Sequence, residues 1–186
     1  DPLAVPILTH IFKNDIYGFQ LRSAAIKAIA EIGDPSLLPE MLAKVQTPVD
    51  DYGETQIINS IATSLGILGD ASAIPVLESV LSEESHYNDL RQNAAEALLH
   101  LNSIQSLDLL KDIVVTSHYT PLRQQALRSL VHLAFKNDLL DKDLYAFMRR
   151  LLEREDEDEQ IQIQAIEAIG LMPEFQTDNV LEILLH

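Results

Sequence analysis

The chain has 186 residues, 47% of them hydrophobic, enough to bury a core as one compact unit or as an array of small ones. Its 13 Lys+Arg against 29 Asp+Glu leave a formal charge of -16, which repels phosphate and anionic lipid, so neither nucleic acid nor a membrane is an expected partner. The absence of cysteine rules out a disulfide framework, a thiolate metal site and a cysteine nucleophile, and with no long apolar run and no signal-like start the expected location is the cytoplasm.

In chain order, the sequence alternates between short and long amphipathic segments. "DPLAVPIL" from Asp1, "DPSLLPEML" from Asp34 and "DASAIPVLESVL" from Asp70 each pair an Asp, suited to capping a helix start, with a Pro five residues on: Pro6, Pro39 and Pro75. The later "SIQSLDLLKDIV" and "DLYAFMRRLL" keep the apolar spacing without the proline. A longer segment follows each: "RSAAIKAIAEIG" from Arg22, "INSIATSLGILG" from Ile58, "RQNAAEALLHLN" from Arg91, "RQQALRSLVHLA" from Arg123 and "QIQAIEAIGLMP" from Gln162. These five copies start 36, 33, 32 and 39 residues apart, a period typical of stacked helical repeats. Two adjacent stretches, "SHYNDLRQNAAEALLHL" and "SHYTPLRQQALRSLVHL", are close to duplicates.

Inside each copy the apolar positions recur at helical spacing: Ala25, Ile26, Ile29 and Ile32 align with Ile61, Ala62, Leu65 and Leu68, then with Ala94, Ala95, Leu98 and Leu101. A column of small residues, Ala28, Ser64, Ala97, Ser129 and Ala168, would let neighbouring helices come close. Gly33 and Gly69 suit left-handed helix ends, and Asn102 less well. Each repeat is then a helix hairpin that must stack on its neighbours to bury its apolar face.

"LRSAAIKAIAEIGDPSLLPEML" and "ATSLGILGDASAIPVLESVL" resemble HEAT repeats of the phycobilisome-lyase type, whose unit runs Val-Arg, a small-residue helix, Leu/Ile-Gly-Asp and a proline-bearing helix. The resemblance implies an all-α, right-handed α-α superhelix of about five hairpins plus a partial sixth. The expected repeats are 1–33, 34–69, 70–102, 103–136, 137–173 and a partial 174–186 with a first helix at Thr177 to Leu185. The chain opens without methionine and stops within "NVLEILLH", so a fragment of a longer protein is expected. Ile58 and Gln162 depart from the Arg, and Asn102, Ala134 and Pro173 from the Gly, so looser or reoriented turns are expected in copies two, four and five.

The resemblance also implies that the second helices line a concave surface. The residues expected to face outward there form four columns: Ser23, Asn59, Gln92 and Gln124; Ala24, Ser60, Asn93, Gln125 and Gln164; Lys27, Thr63, Glu96, Arg128 and Glu167; and Glu31, Ile67, His100, His132 and Leu171. Asn59, Gln92, Asn93, Glu96, His100, Gln124, Gln125, Arg128, His132 and Gln164 are the candidate partner-binding residues, because amides offer donors and acceptors to a peptide. Ordinary solvation of a polar helix face accounts for any one of them equally well.

Other features are read more plainly. His86 with His118, and His100 with His132, share register, but stacked helices lie about 8–10 Å apart, too far for two ligands each about 2 Å from one zinc. Tyr17, Tyr52, Tyr87 and Tyr119 would form a ridge, either an interaction edge or plugs between repeats, with plugs favoured. The run "EREDEDE" from Glu153 to Glu159 is read as a solvated loop that could steer a basic partner. No phosphate loop or nucleophile elbow is present, so neither catalysis nor a cofactor is expected. The resulting expectation is a protein-binding scaffold. The resemblance implies as an alternative a bilin lyase or chaperone subunit acting on phycobiliproteins, disfavoured because only Lys27 and Arg128 on the stripe could meet a bilin's propionates; a rigid spacer is the third possibility.

Overall fold

A computed structural model describes residues 2–84 and 87–172; the expected sixth first helix, Pro173 and His86 lie outside the described residues. Among the described residues there are ten α-helices and no strand. They come as α1 (Val5–Lys13) and α2 (Phe19–Ile32), α3 (Leu38–Val45) and α4 (Tyr52–Leu68), α5 (Ile74–Ser82) and α6 (Asn88–His100), α7 (Leu107–Thr116) and α8 (Thr120–Lys136), and α9 (Lys142–Leu152) and α10 (Glu159–Gly170). Each pair packs together, and the second helices α2, α4, α6, α8 and α10 pack in a row, each on the next. This is nearest-neighbour stacking, in which one hairpin completes the core of another.

The apolar columns form that core. Ile26, Ile61, Leu65, Ala94, Leu98, Ala126 and Leu130 are all buried, while the last column, Ile32, Leu68 and Leu101, is half-buried at the helix ends. Burying a Leu or Ile side chain contributes about 1.5–3 kcal/mol. The small column does what its size permits. Ser64, Ala97, Ser129 and Ala168 are buried, and Ser129 Oγ in α8 donates to the Ala95 carbonyl in α6 at 2.9 Å. Where α4 meets α6, a Cβ on Gly66 would fall 2.7 Å from the Ala97 Cα, so only glycine allows that approach.

Local rules set the ends of these helices. Pro6, Pro39 and Pro75 sit in the first two positions of α1, α3 and α5, where no backbone N–H is needed. Asp34 and Asp70 act one turn earlier than a simple helix cap. Their carboxylates accept from the Ser36 and Ser72 amides, each at 2.9 Å, and start a 3-10 turn that leads into the α-helix. At the far ends Gly33, Gly69 and Asn102 take left-handed conformations, with φ 78°, 77° and 53°. Ala134 provides no such stop, so α8 continues to Lys136 and ends before Asp138, at φ 56°. That extra turn brings out Phe135, and it places Asn137 where its amide exchanges hydrogen bonds of 2.9 and 3.1 Å with Asn102 of the preceding hairpin.

Candidate binding groove on the second helices

The four outward columns differ in exposure. Glu96, His100, Arg128, His132, Glu167 and Leu171 are exposed, whereas Gln92, Asn93, Gln124, Gln125 and Gln164 are only half-buried or partly covered. Asn59, expected on the same face, is buried, and its Oδ1 has no hydrogen-bond partner among the described residues. The cause is the close approach of the second helices, which draws the first two columns into the seams between them. Gln92 and Gln125 spend their amides locally, on the Asn88 carbonyl at 3.4 Å and on Ser129 Oγ at 3.3 Å. His100 lies 4.0 Å from Glu96 on its own helix, and His132 Nδ1 is 2.9 Å from the Arg128 carbonyl.

The row opens between α8 and α10. A groove of about 460 Å³ has Leu127, Val131 and Ala168 along its floor, with Arg128, His132 and Phe135 on the α8 side. Gln164 and Glu167 of α10 and Leu171 at its C-cap line the other side. Phe135 and Leu171 are 57% and 46% exposed, large apolar surface at the rim of a polar face. The groove therefore gathers three of the candidate residues, Arg128, His132 and Gln164, and leaves the others along the tighter seams. Phe135, Val131 and Leu127 were not among the candidates. The signals for them in the sequence are Ala134 in place of a helix-stopping glycine and the 39-residue spacing that follows.

The opening is pinned at one end. Arg123, at the start of α8, donates from Nη2 to Glu157 Oε2 at 2.6 Å and from Nε to the Val114 carbonyl at the end of α7, also at 2.6 Å. Arg154 lies 3.6 Å from the same carboxylate oxygen. The run 153–159 is thus not uniformly solvated: the Glu157 side chain has no solvent exposure. Burial pushes the Glu157 pKa up, but the Arg123 hydrogen bond, the Asp158 amide and the two guanidinium charges outweigh it and hold the carboxyl below its ordinary value. The same fitting recurs in two other copies. Arg22 Nε donates to the Phe12 carbonyl and Arg91 Nε to the Leu81 carbonyl, each at 2.9 Å, so each arginine satisfies the open end of the first helix in its own hairpin. Arg22 also meets Glu54 of the next hairpin at 2.9 Å, and Glu54 is shared with Lys44 at 2.8 Å. The hydrogen bond from Lys44 is the main cause that holds the Glu54 pKa below its usual value, against burial.

The tyrosines divide between contact and exposure. Tyr87 donates to the Val49 carbonyl at 3.1 Å, Tyr52 stacks edge-on to Phe19 at 5.5 Å, and Tyr17 does so to His10 at 6.1 Å. Tyr52 nonetheless keeps 69% of its surface exposed. Among the described residues no group of three or more His, Asp or Glu is placed to hold a metal ion, and no helix is long and apolar enough to cross a membrane.

Residues 56–131 match the family model of HEAT repeats. Together with the packed helix pairs, this match supports the HEAT-repeat family and makes the fold a HEAT-like α-solenoid. No curated protein matches the chain.

Proposed function

We propose that the chain is a protein-binding scaffold, one array across its length, whose second-helix row takes a partner protein on its concave face. The observation that carries this is the groove between α8 and α10, the place where the row stops closing on itself and exposes apolar surface beside charged side chains. HEAT repeats commonly mediate protein-protein contact, and the repeats here extend over the stretch that leads into the groove. The reading assigns no catalytic step and no cofactor.

The test is an affinity capture from an extract of the source organism at low and high salt, comparing the wild type with a Gln92→Ala, Gln124→Ala, Arg128→Ala triple variant. A stoichiometric, colourless partner lost in the variant, which keeps its helical circular dichroism, is the expected outcome. A coloured eluate carrying a phycobiliprotein would replace the scaffold with the bilin-handling alternative. Equal capture by both proteins would move the site off this face, and no capture at all would leave a spacer.

A further inference from the structure

The rim of the groove is spaced like a helix. On α8 the residues at the opening are Arg128, His132 and Phe135, and on α10 and its C-cap they are Gln164, Glu167 and Leu171, so each wall offers side chains three and four residues apart. A third helix can lay its ridge between two such walls, whereas an extended strand would find side chains there and no backbone to pair with. The floor is apolar, and a volume of about 460 Å³ falls in the range of clefts that enclose side chains or ligands.

The two walls carry opposite charges that are not spent on each other. Arg22, Arg123, Arg149 and Arg154 all have carboxylate partners, but among the described residues neither Arg128 nor Glu167 has an ion-pair partner. A purely acidic ligand would meet Arg128 and be repelled by Glu167, and a purely basic one would suffer the reverse. An occupant that satisfies both walls presents apolar side chains downward, an acid on one flank and a base on the other.

We propose that the groove between α8 and α10 binds an amphipathic helix of the partner protein whose apolar ridge is flanked by acidic residues on one side, against Arg128, and basic residues on the other, against Glu167. This rests on the scaffold reading and adds the chemistry of the partner.

The test uses three fluorescent peptides of about 15 residues, long enough to hold a helix, with one leucine ridge and flanks that are Glu/Lys, Glu/Glu or Lys/Lys. Anisotropy is read against the full chain, Glu167→Lys and Arg128→Glu. The wild type is expected to prefer the mixed peptide, Glu167→Lys the Glu/Glu peptide and Arg128→Glu the Lys/Lys peptide, each by about tenfold. Phe135→Ser, at an exposed position, should weaken all three. Peptides that bind all proteins alike, or none, overturn the proposal, as does a concentration-dependent dimer that Arg128→Glu abolishes, which would assign the groove to a second copy. A partner captured through the stripe without this charge pattern would overturn the helix proposal while leaving the scaffold intact.

Discussion

The row of second helices behaves differently at its two ends. From α4 through α8 the helices close on one another through Gly66 against Ala97 and Ser129 against the Ala95 carbonyl, and the first two polar columns between them are squeezed to partial or full burial. Between α8 and α10 the starts are fastened by Arg123 and Glu157, yet the later turns enclose a groove with an exposed aromatic at its rim. Both regions are built from the same repeat, with the same buried columns. What separates them is where the helix stops: Gly69 and Asn102 end theirs, and Ala134 does not. The omitted stop adds Phe135 to the rim of the groove, with the core left unchanged.

The comparison can be broken most severely in the shared core. Leu98→Asp places a charge where the native side chain has no exposure, inside the shared core cluster, and should cost about 5 kcal/mol or more, abolishing a cooperative thermal transition in circular dichroism. A folded, cooperative variant would show that the column does not support its neighbours.

The two arginine fasteners should separate the ends more finely. Arg123→Ala leaves Glu157 buried with only Arg154 nearby and should cost about 3 kcal/mol in urea titration. Arg22→Ala leaves Glu54 still paired with Lys44 and should cost about half as much, so equal losses would contradict the pairing. Glu54 and Glu157 both have folded pKa values held below the unfolded value of about 4.3. Their stabilisation is therefore complete above that value and is lost as the pH falls through the folded values. Removing Arg123 should make the acid side of the stability profile shallower.

Two glycines carry a further contrast, and the second of them the smallest expected effect. Gly66→Ala would force a methyl group into the Ala97 backbone and should cost about 1–3 kcal/mol. Gly170→Ala meets nothing within 4 Å at the end of α10 and should be neutral or stabilising by up to about 1 kcal/mol. The same sign for both would erase the distinction between the closed seam and the open end.

Much of this was legible in the sequence, because burial repeats along the chain. The columns through Ile26, Ile61, Ala94 and Ala126 predict the core, and Gly33, Gly69 and Asn102 predict left-handed ends that the backbone adopts. Exposure across the polar columns was not legible, since it depends on how closely two helices approach. Asn59 and Gln124 share a column, yet the seam beside Asn59 buries it. The arginines in the first position of the copies looked like a family signature. The work of Arg22 and Arg123, capping the preceding helix and reaching a carboxylate in the next hairpin, needs three segments at once and cannot be read from one. Glu157 was hidden for the same reason, inside a run of acids that composition alone marks as solvent-facing.

The second helices of the third and fourth repeats are nearly duplicate in sequence, and a chain with interchangeable parts risks stacking them in the wrong order or swapping them between molecules. The contacts on either side of the third hairpin differ from each other and from the Arg–Glu pairs at the two ends of the array. The first and second meet through Arg22 and Glu54, the second and third through Tyr87 and the Val49 carbonyl, the third and fourth through Asn102 and Asn137, and the fourth and fifth through Arg123 and Glu157. The order of the array is thereby written in the differing contacts of its middle hairpins and in seams such as Gly66 against Ala97, and less in the Arg–Glu pairs that recur at its two ends.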